Sequence, residues 1–117
     1  MDKIIIYAPL IVGFLIAYIP AALAQSVSFE SQVLPVFETK CSECHGLSNP
    51  EVRLTLISYE GVIKGSEYGI VIEPGEPIES YMIELIEKGE MPQDGEPVSP
   101  DELSLIKSWI EEGALNN

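Results

Sequence analysis

The chain has 117 residues, 46% of them apolar, with 19 acidic and 6 basic residues giving a net charge of −13. That length holds one domain, and the apolar share argues against a disordered chain. The acidic excess argues against nucleic acid and anionic lipid surfaces as partners and favours proteins with basic docking patches, although solubility alone would also account for it.

Residues 4–24 form an uncharged apolar run with Lys3 just before it. Ala22-Leu23-Ala24 matches a small-x-small cleavage pattern that leaves Gln25 as the new N-terminus. Pro9 and Pro20 favour cleavage, whereas the length of the run, near the roughly 20 residues of a membrane span, favours retention. The expectation is a signal peptide over residues 1–24, with an N-terminal anchor helix as the alternative. Either way residues 25–117 are expected at the periplasmic or another extracytoplasmic face. Loss of residues 1–24 from the 117 leaves 93, and Asp2 and Lys3 leave together, so the charge is unchanged. So short a chain buries only roughly 60% of its unfolded surface and needs a staple.

In chain order, Val33, Phe37 and Cys41 fall at steps of four, one helical stripe. Pro35 is tolerated only in a first turn, which starts that helix near Val33 or Leu34. Residues 46–57 read as a loop, with Leu54 and Leu56 extended. Ser58 caps a short helix that Gly65 stops. Glu73-Pro74-Gly75-Glu76-Pro77 is a turn, and Pro77 opens a helix whose face is Ile78, Tyr81, Met82, Leu85 and Ile86. A polar loop over residues 89–98 surrounds Met91-Pro92. Ser99-Pro100-Asp101-Glu102 is a strong helix start, followed by the stripe Leu103, Ile106, Trp109 and Ile110 and a stop at Gly113. No strand pattern reaches convincing length. The fold class expected is all-α, one small helical domain over residues 25–117.

Cys41-Ser42-Glu43-Cys44-His45 uses both cysteines and the only histidine of the chain. C-x-x-C-H is the attachment signature of c-type haem. Cysteines three apart on a helical turn share a face and reach the two vinyl groups of one porphyrin edge, and the histidine that follows ligates the iron. A zinc site would need further Cys or His ligands, and none remains. A thioredoxin-like CxxC belongs in a βαβ context that the chain does not show.

The sixth iron position has two candidates outside the N-terminal run. Met82 lies on an apolar helical stripe, where methionine usually fills core. Met91 stands in a loop between helices, which can present its sulfur to a haem, with Pro92 stiffening the approach. Met91 is the expected ligand. Arg53, Tyr59 and Tyr81 are candidates to contact haem propionates or line the pocket, against a plain alternative of helix packing for the tyrosines and a solvated charge for Arg53. Trp109 reads as a packing or haem-flanking residue.

Val33-Leu34-Pro35-Val36-Phe37, Cys41-Ser42-Glu43-Cys44-His45-Gly46, Val52-Arg53-Leu54, Pro74-Gly75-Glu76-Pro77, Ser80-Tyr81-Met82-Ile83, Met91-Pro92 and Ile106 to Ala114 follow one another in an order that resembles a class I cytochrome c. The nearest pattern is the planctomycete-type cytochrome c domain, over roughly residues 30–114. The resemblance implies Met91 as distal ligand. It departs from the family at Gln93, where a second proline is common. It also implies an electron donor and an electron acceptor as partners, the chain being free, anchored or a subunit of a membrane-bound redox complex. The expected function is single-electron transfer by a haem iron held by His45 and Met91, not catalysis. Were Met91 not a ligand, the alternative is a five-coordinate haem protein that binds a small ligand or peroxide. A haem-free structural or thiol-redox module is the third reading.

Overall fold

The computed structural model describes residues 2–17 and 26–117. The proposed cleavage pattern Ala22-Leu23-Ala24 and Gln25 lie outside the described residues. Residues 2–17 carry no helix, and their large side chains stand in solvent, Leu15 at 96% exposure. The anchor helix expected here is therefore not formed in the described part. An apolar stretch with no surface to pack against does not offset the cost of helix nucleation, and Pro9 interrupts the backbone bonding. Among the described residues no helix is long and apolar enough to cross a membrane.

Residues 26–117 are helical, and no strand occurs among the described residues beyond a single bridge between Ser66 and Gly69. The helices are α1 (Leu34–Lys40), α2 (Ser42–His45), α3 (Tyr59–Lys64), α4 (Tyr81–Glu87) and α5 (Pro100–Glu111). The first starts at Leu34, as the position of Pro35 implies, but it has helical chain before it. A π-helical turn over Phe29–Val33 precedes α1, and the amides of Gln32 and Val33 both donate to the Ser28 carbonyl. Ser28 also caps it through Oγ, which accepts from the Ser31 amide at 3.1 Å. Pro35 still sits in the first turn of α1, as its missing N–H requires. The chain becomes helical earlier because the wide turn needs no donor from that position.

Two starts follow their caps. Ser58 Oγ accepts from the Gly61 amide at 3.1 Å and opens α3, which ends at Gly65 with φ +80°. A Cβ at Gly65 would lie 2.5 Å from the Gly69 carbonyl oxygen, so both conformation and space demand glycine. At α5 the Glu102 amide donates to Ser99 Oγ at 3.1 Å, and the Ser99 amide donates to the Glu102 carboxylate at 2.9 Å. That is a full capping box.

Helix α4 starts later than Pro77 implies, and Ile78 is left exposed. Ser80 explains the delay. Its hydroxyl accepts from the Glu73 amide and donates to the Glu76 carbonyl, both at 2.9 Å, so it closes the preceding turn. The same turn is fastened to α5 by the Gly75 amide, which donates to the Ile110 carbonyl at 2.7 Å.

The core gathers Phe29, Val33 and Phe37 from the first segment, Val62 from α3, and Ile106, Trp109 and Ile110 from α5. Trp109 is fully buried, with its ring 5.2 Å from that of Phe29 and 6.5 Å from that of Tyr59. Its indole N–H donates to the Leu115 carbonyl at 2.9 Å, which removes the polar penalty of burying it. Asn117 completes the junction: its side chain accepts from the Phe29 amide at 2.9 Å and donates to the Val27 carbonyl at 3.1 Å.

Trp109→Ala is expected to cost about 3–5 kcal/mol of stability and Ser99→Ala about 1 kcal/mol, both read from urea midpoints at unchanged slope. The Ser99 amide, donating to the Glu102 carboxylate, holds the Glu102 pKa below its ordinary 4.5. A lowered carboxyl pKa stabilises the fold above the ordinary value, and that contribution is lost as pH falls through the folded value. Glu102→Gln keeps the cap acceptor but does not titrate. Unfolding midpoints at pH about 7 and about 3 should therefore fall less in the variant than in the parent.

Candidate functional site

Helix α1 delivers the C-x-x-C-H stretch from the core to a cleft. The chain breaks at Cys41 (φ −126°, ψ −23°), so Cys41 separates α1 from α2. The turn expected between the two thiols is kept, because the Cys41 carbonyl accepts from the Cys44 amide at 3.2 Å and from the His45 amide at 2.8 Å. Both thiols are free, Cys41 half-buried and Cys44 exposed. Burial, with a smaller effect of Cys44 and Glu102, pushes the Cys41 thiol up to about 11, so it is neutral at pH 7. Gly46 ends α2 against a wall: a Cβ there would lie 2.6 Å from the Ser42 carbonyl oxygen.

His45 is 9% exposed, and its Nδ1 lies 3.1 Å from the Leu54 carbonyl oxygen. A carbonyl only accepts, so Nδ1 carries a proton and Nε2 is the ring nitrogen not engaged by this bond. The His45 carbonyl in turn accepts from the Leu56 amide at 2.9 Å. The loop after α2 thus holds the histidine at its backbone and at its ring. Metal-ligating histidines use outer support of this kind, and it leaves Nε2 as the ring nitrogen free for a ligand.

The cleft has a volume of about 1070 Å³, and Cys41, Cys44, His45, Tyr81, Met82 and Met91 all line it. Cofactor sites usually fall at roughly 300–1,000 Å³, so this one has room for a large flat ligand. Leu54, Leu56, Val71 and Met82 belong to both the buried core and the cleft wall. Tyr68, Ile70 and Tyr81 line it too, yet each is more than half exposed. Apolar side chains left wet around a cavity mark a surface meant to be covered. A haem would cover it, and the two thiols and the oriented histidine would be the groups to hold it and its iron. The residues fit the group.

Both methionines reach this cleft. Met82 is 8% exposed and part of the core, with its amide donating to the Val71 carbonyl at 3.0 Å. Met91 is half-buried in the loop after α4, and the amides of Glu90 and Met91 both donate to the Leu85 carbonyl, at 2.9 and 3.2 Å.

Two of the sequence candidates stand elsewhere. Tyr59 does not line the cleft; its ring packs edge-on to Phe29 at 5.5 Å and its hydroxyl donates to the Ala114 carbonyl at 2.9 Å. The capped start of α3 turns it toward α5. Arg53 is also outside the cleft, its side chain 85% exposed and 3.9 Å from the Glu67 carboxylate. Residues Val52 and Arg53 have φ of +49° and +55°, which redirects the chain here. Trp109 packs in the core and is not a cleft residue. Conversely, the sequence reading did not find the Leu54 carbonyl, which no residue type announces. It also passed over Lys40, a buried lysine at the cleft whose sequence neighbours look like solvated charge.

Residues 41–95 match the Planctomycete cytochrome C family. No curated protein and no solved structure gives a match. The matched stretch begins at the first cysteine of the attachment motif and runs beyond Met91-Pro92, so it takes in α2, the histidine support, α4 and the methionine loop. Such a family implies a covalently bound haem c and the carriage of electrons. Residues 41–95 thus carry the pattern of a planctomycete-type cytochrome c domain.

Proposed function

We propose that this domain is an exported, monohaem electron carrier or electron-transfer subunit, with haem joined to Cys41 and Cys44 and its iron held by His45 and Met91. The observation that carries the reading is the Nδ1 bond of His45 to the Leu54 carbonyl at 3.1 Å, which leaves Nε2 available to a metal at the cleft. Haem, when bound, supplies a one-electron ferric/ferrous couple.

The chain's own residues shape that couple. The Leu54 carbonyl fixes the histidine tautomer and strengthens it as a donor. A thioether from Met91 is a soft, weak donor that favours ferrous iron and so raises the potential above that of a bis-histidine haem. Apolar walls from Leu54, Leu56 and Val71 keep water from the cavity and favour the state of lower charge. With His45 and Met91 both holding the iron, no position would be open to dioxygen or peroxide, and the domain would act by electron transfer instead of catalysis.

Donor and acceptor proteins with basic docking patches suit a chain of net charge −13. Export through residues 1–24 suits a haem attached outside the cytoplasm. Intact mass of the protein recovered from the periplasm tests this: a start at Gln25 supports a released carrier, and retention of the apolar run supports an anchored subunit.

The ligand assignment is tested on haem-loaded protein by absorption spectroscopy. The ferric parent and Met82→Ala should show the long-wavelength charge-transfer band of a methionine-ligated low-spin haem. Met91→Ala should lose that band and bind carbon monoxide readily when reduced. A band that survives Met91→Ala and disappears in Met82→Ala would transfer the ligand to α4. Carbon monoxide binding by the parent would instead favour the five-coordinate alternative.

A further inference from the structure

The loop that carries Met91 is fastened firmly at one end only. Upstream, the amides of Glu90 and Met91 donate to the last turn of α4. Downstream, residues 92–98 have no backbone amide tied to another element among the described residues. Their polar ties all run to one side chain. Lys40, the last residue of α1 and the neighbour of Cys41, has a side chain only 6% exposed at the cleft. Its Nζ lies 2.9 Å from the Glu96 carboxylate and donates to the Pro97 carbonyl at 3.2 Å. The Glu102 carboxylate is 3.6 Å away, and Glu102 is locked in turn by the capping box of α5.

An ammonium has three protons and no acceptor capacity, and here three oxygens face it from two elements. A lysine taken this far out of water persists only when so partnered. The cation therefore fastens the methionine loop, and with it the start of α5, to the helix that presents both thiols and the histidine. We propose that Lys40 is a positioning residue for Met91: its ammonium holds the Glu96–Pro97 arm in place and so keeps the methionine side of the cleft closed. The proposal rests on Met91 being the iron ligand.

The test uses haem-loaded protein and titrates the ferric form with imidazole, which competes with an axial methionine and reads how firmly that methionine is held. Lys40→Gln should raise the apparent imidazole affinity about tenfold and weaken the charge-transfer band. Glu96→Gln alters an exposed surface carboxylate that does not threaten folding, and should produce a smaller rise of about two- to threefold. Lys40→Arg keeps a cation with several donors and should stay near the parent. Hydrogen exchange at the Glu90 and Met91 amides, which donate to the Leu85 carbonyl, should quicken in the same order. If Lys40→Gln and Glu96→Gln lower the melting temperature but leave imidazole affinity and the band unchanged, Lys40 is a stability residue only and the proposal is overturned. Should Lys40→Gln fail to fold, an unchanged imidazole affinity in Glu96→Gln overturns it equally. A parent band indifferent to Met91→Ala removes the ligand assignment itself and the proposal with it, and that outcome is distinct because it appears before any Lys40 variant is made.

Discussion

Everything in the domain leans on the contact between Trp109 and the aromatic side chains of the first helical segment. Trp109, Phe29 and Tyr59 lie within one cluster whose rings are 5.2–6.5 Å apart. Through it α5 grips the segment that continues as α1 and ends at Cys41. A domain this small cannot spread its core over many layers, so one aromatic cluster must set the position of several helices at once. The wall of the cleft is the far side of that core: Leu54, Leu56, Val71 and Met82 are buried on account of the packing and also face the cavity. Stability and cofactor binding therefore share side chains, and a covalent haem would act as the staple that so short a chain needs.

The chemistry follows from how little freedom the ligands keep. His45 is held at its carbonyl by Leu56 and at Nδ1 by Leu54. The methionine loop is tied at Leu85 on one side and at Lys40 on the other. In the proposed site both donors to iron would be side chains whose orientation the backbone sets. Such a site would change oxidation state with little rearrangement, as an electron carrier requires.

What could be read in the sequence was whatever is encoded locally. Ser58 with Gly65, and Ser99 with Glu102, announce their helices because a cap needs particular side chains at fixed spacings. Cys41, Cys44 and His45 are equally legible, since their spacing is dictated by the cofactor edge. The errors arose where one residue had two uses. Ser80 looked like an interior helical residue after Pro77, but its hydroxyl closes the Glu73–Glu76 turn and delays α4. Pro35 marks the start of α1 at Leu34 correctly, but nothing in it announces the π-helical turn that precedes that helix. Tyr59 and Tyr81 each sit first in a short helix, and only the packing sends Tyr59 toward Trp109 and Tyr81 to the cleft. The Leu54 carbonyl had no residue-level signal at all, because every residue owns a carbonyl.

The central claim is that His45 and Met91 close one cavity around one iron. A crystal structure of the haem-loaded protein at a resolution that places the iron and its ligand atoms measures this directly. The account predicts thioether bonds from Cys41 and Cys44, iron bonded to His45 Nε2 and Met91 Sδ, and the Leu54 carbonyl still accepting from Nδ1. Iron bonded to Met82 Sδ, or bearing only the histidine, would contradict it.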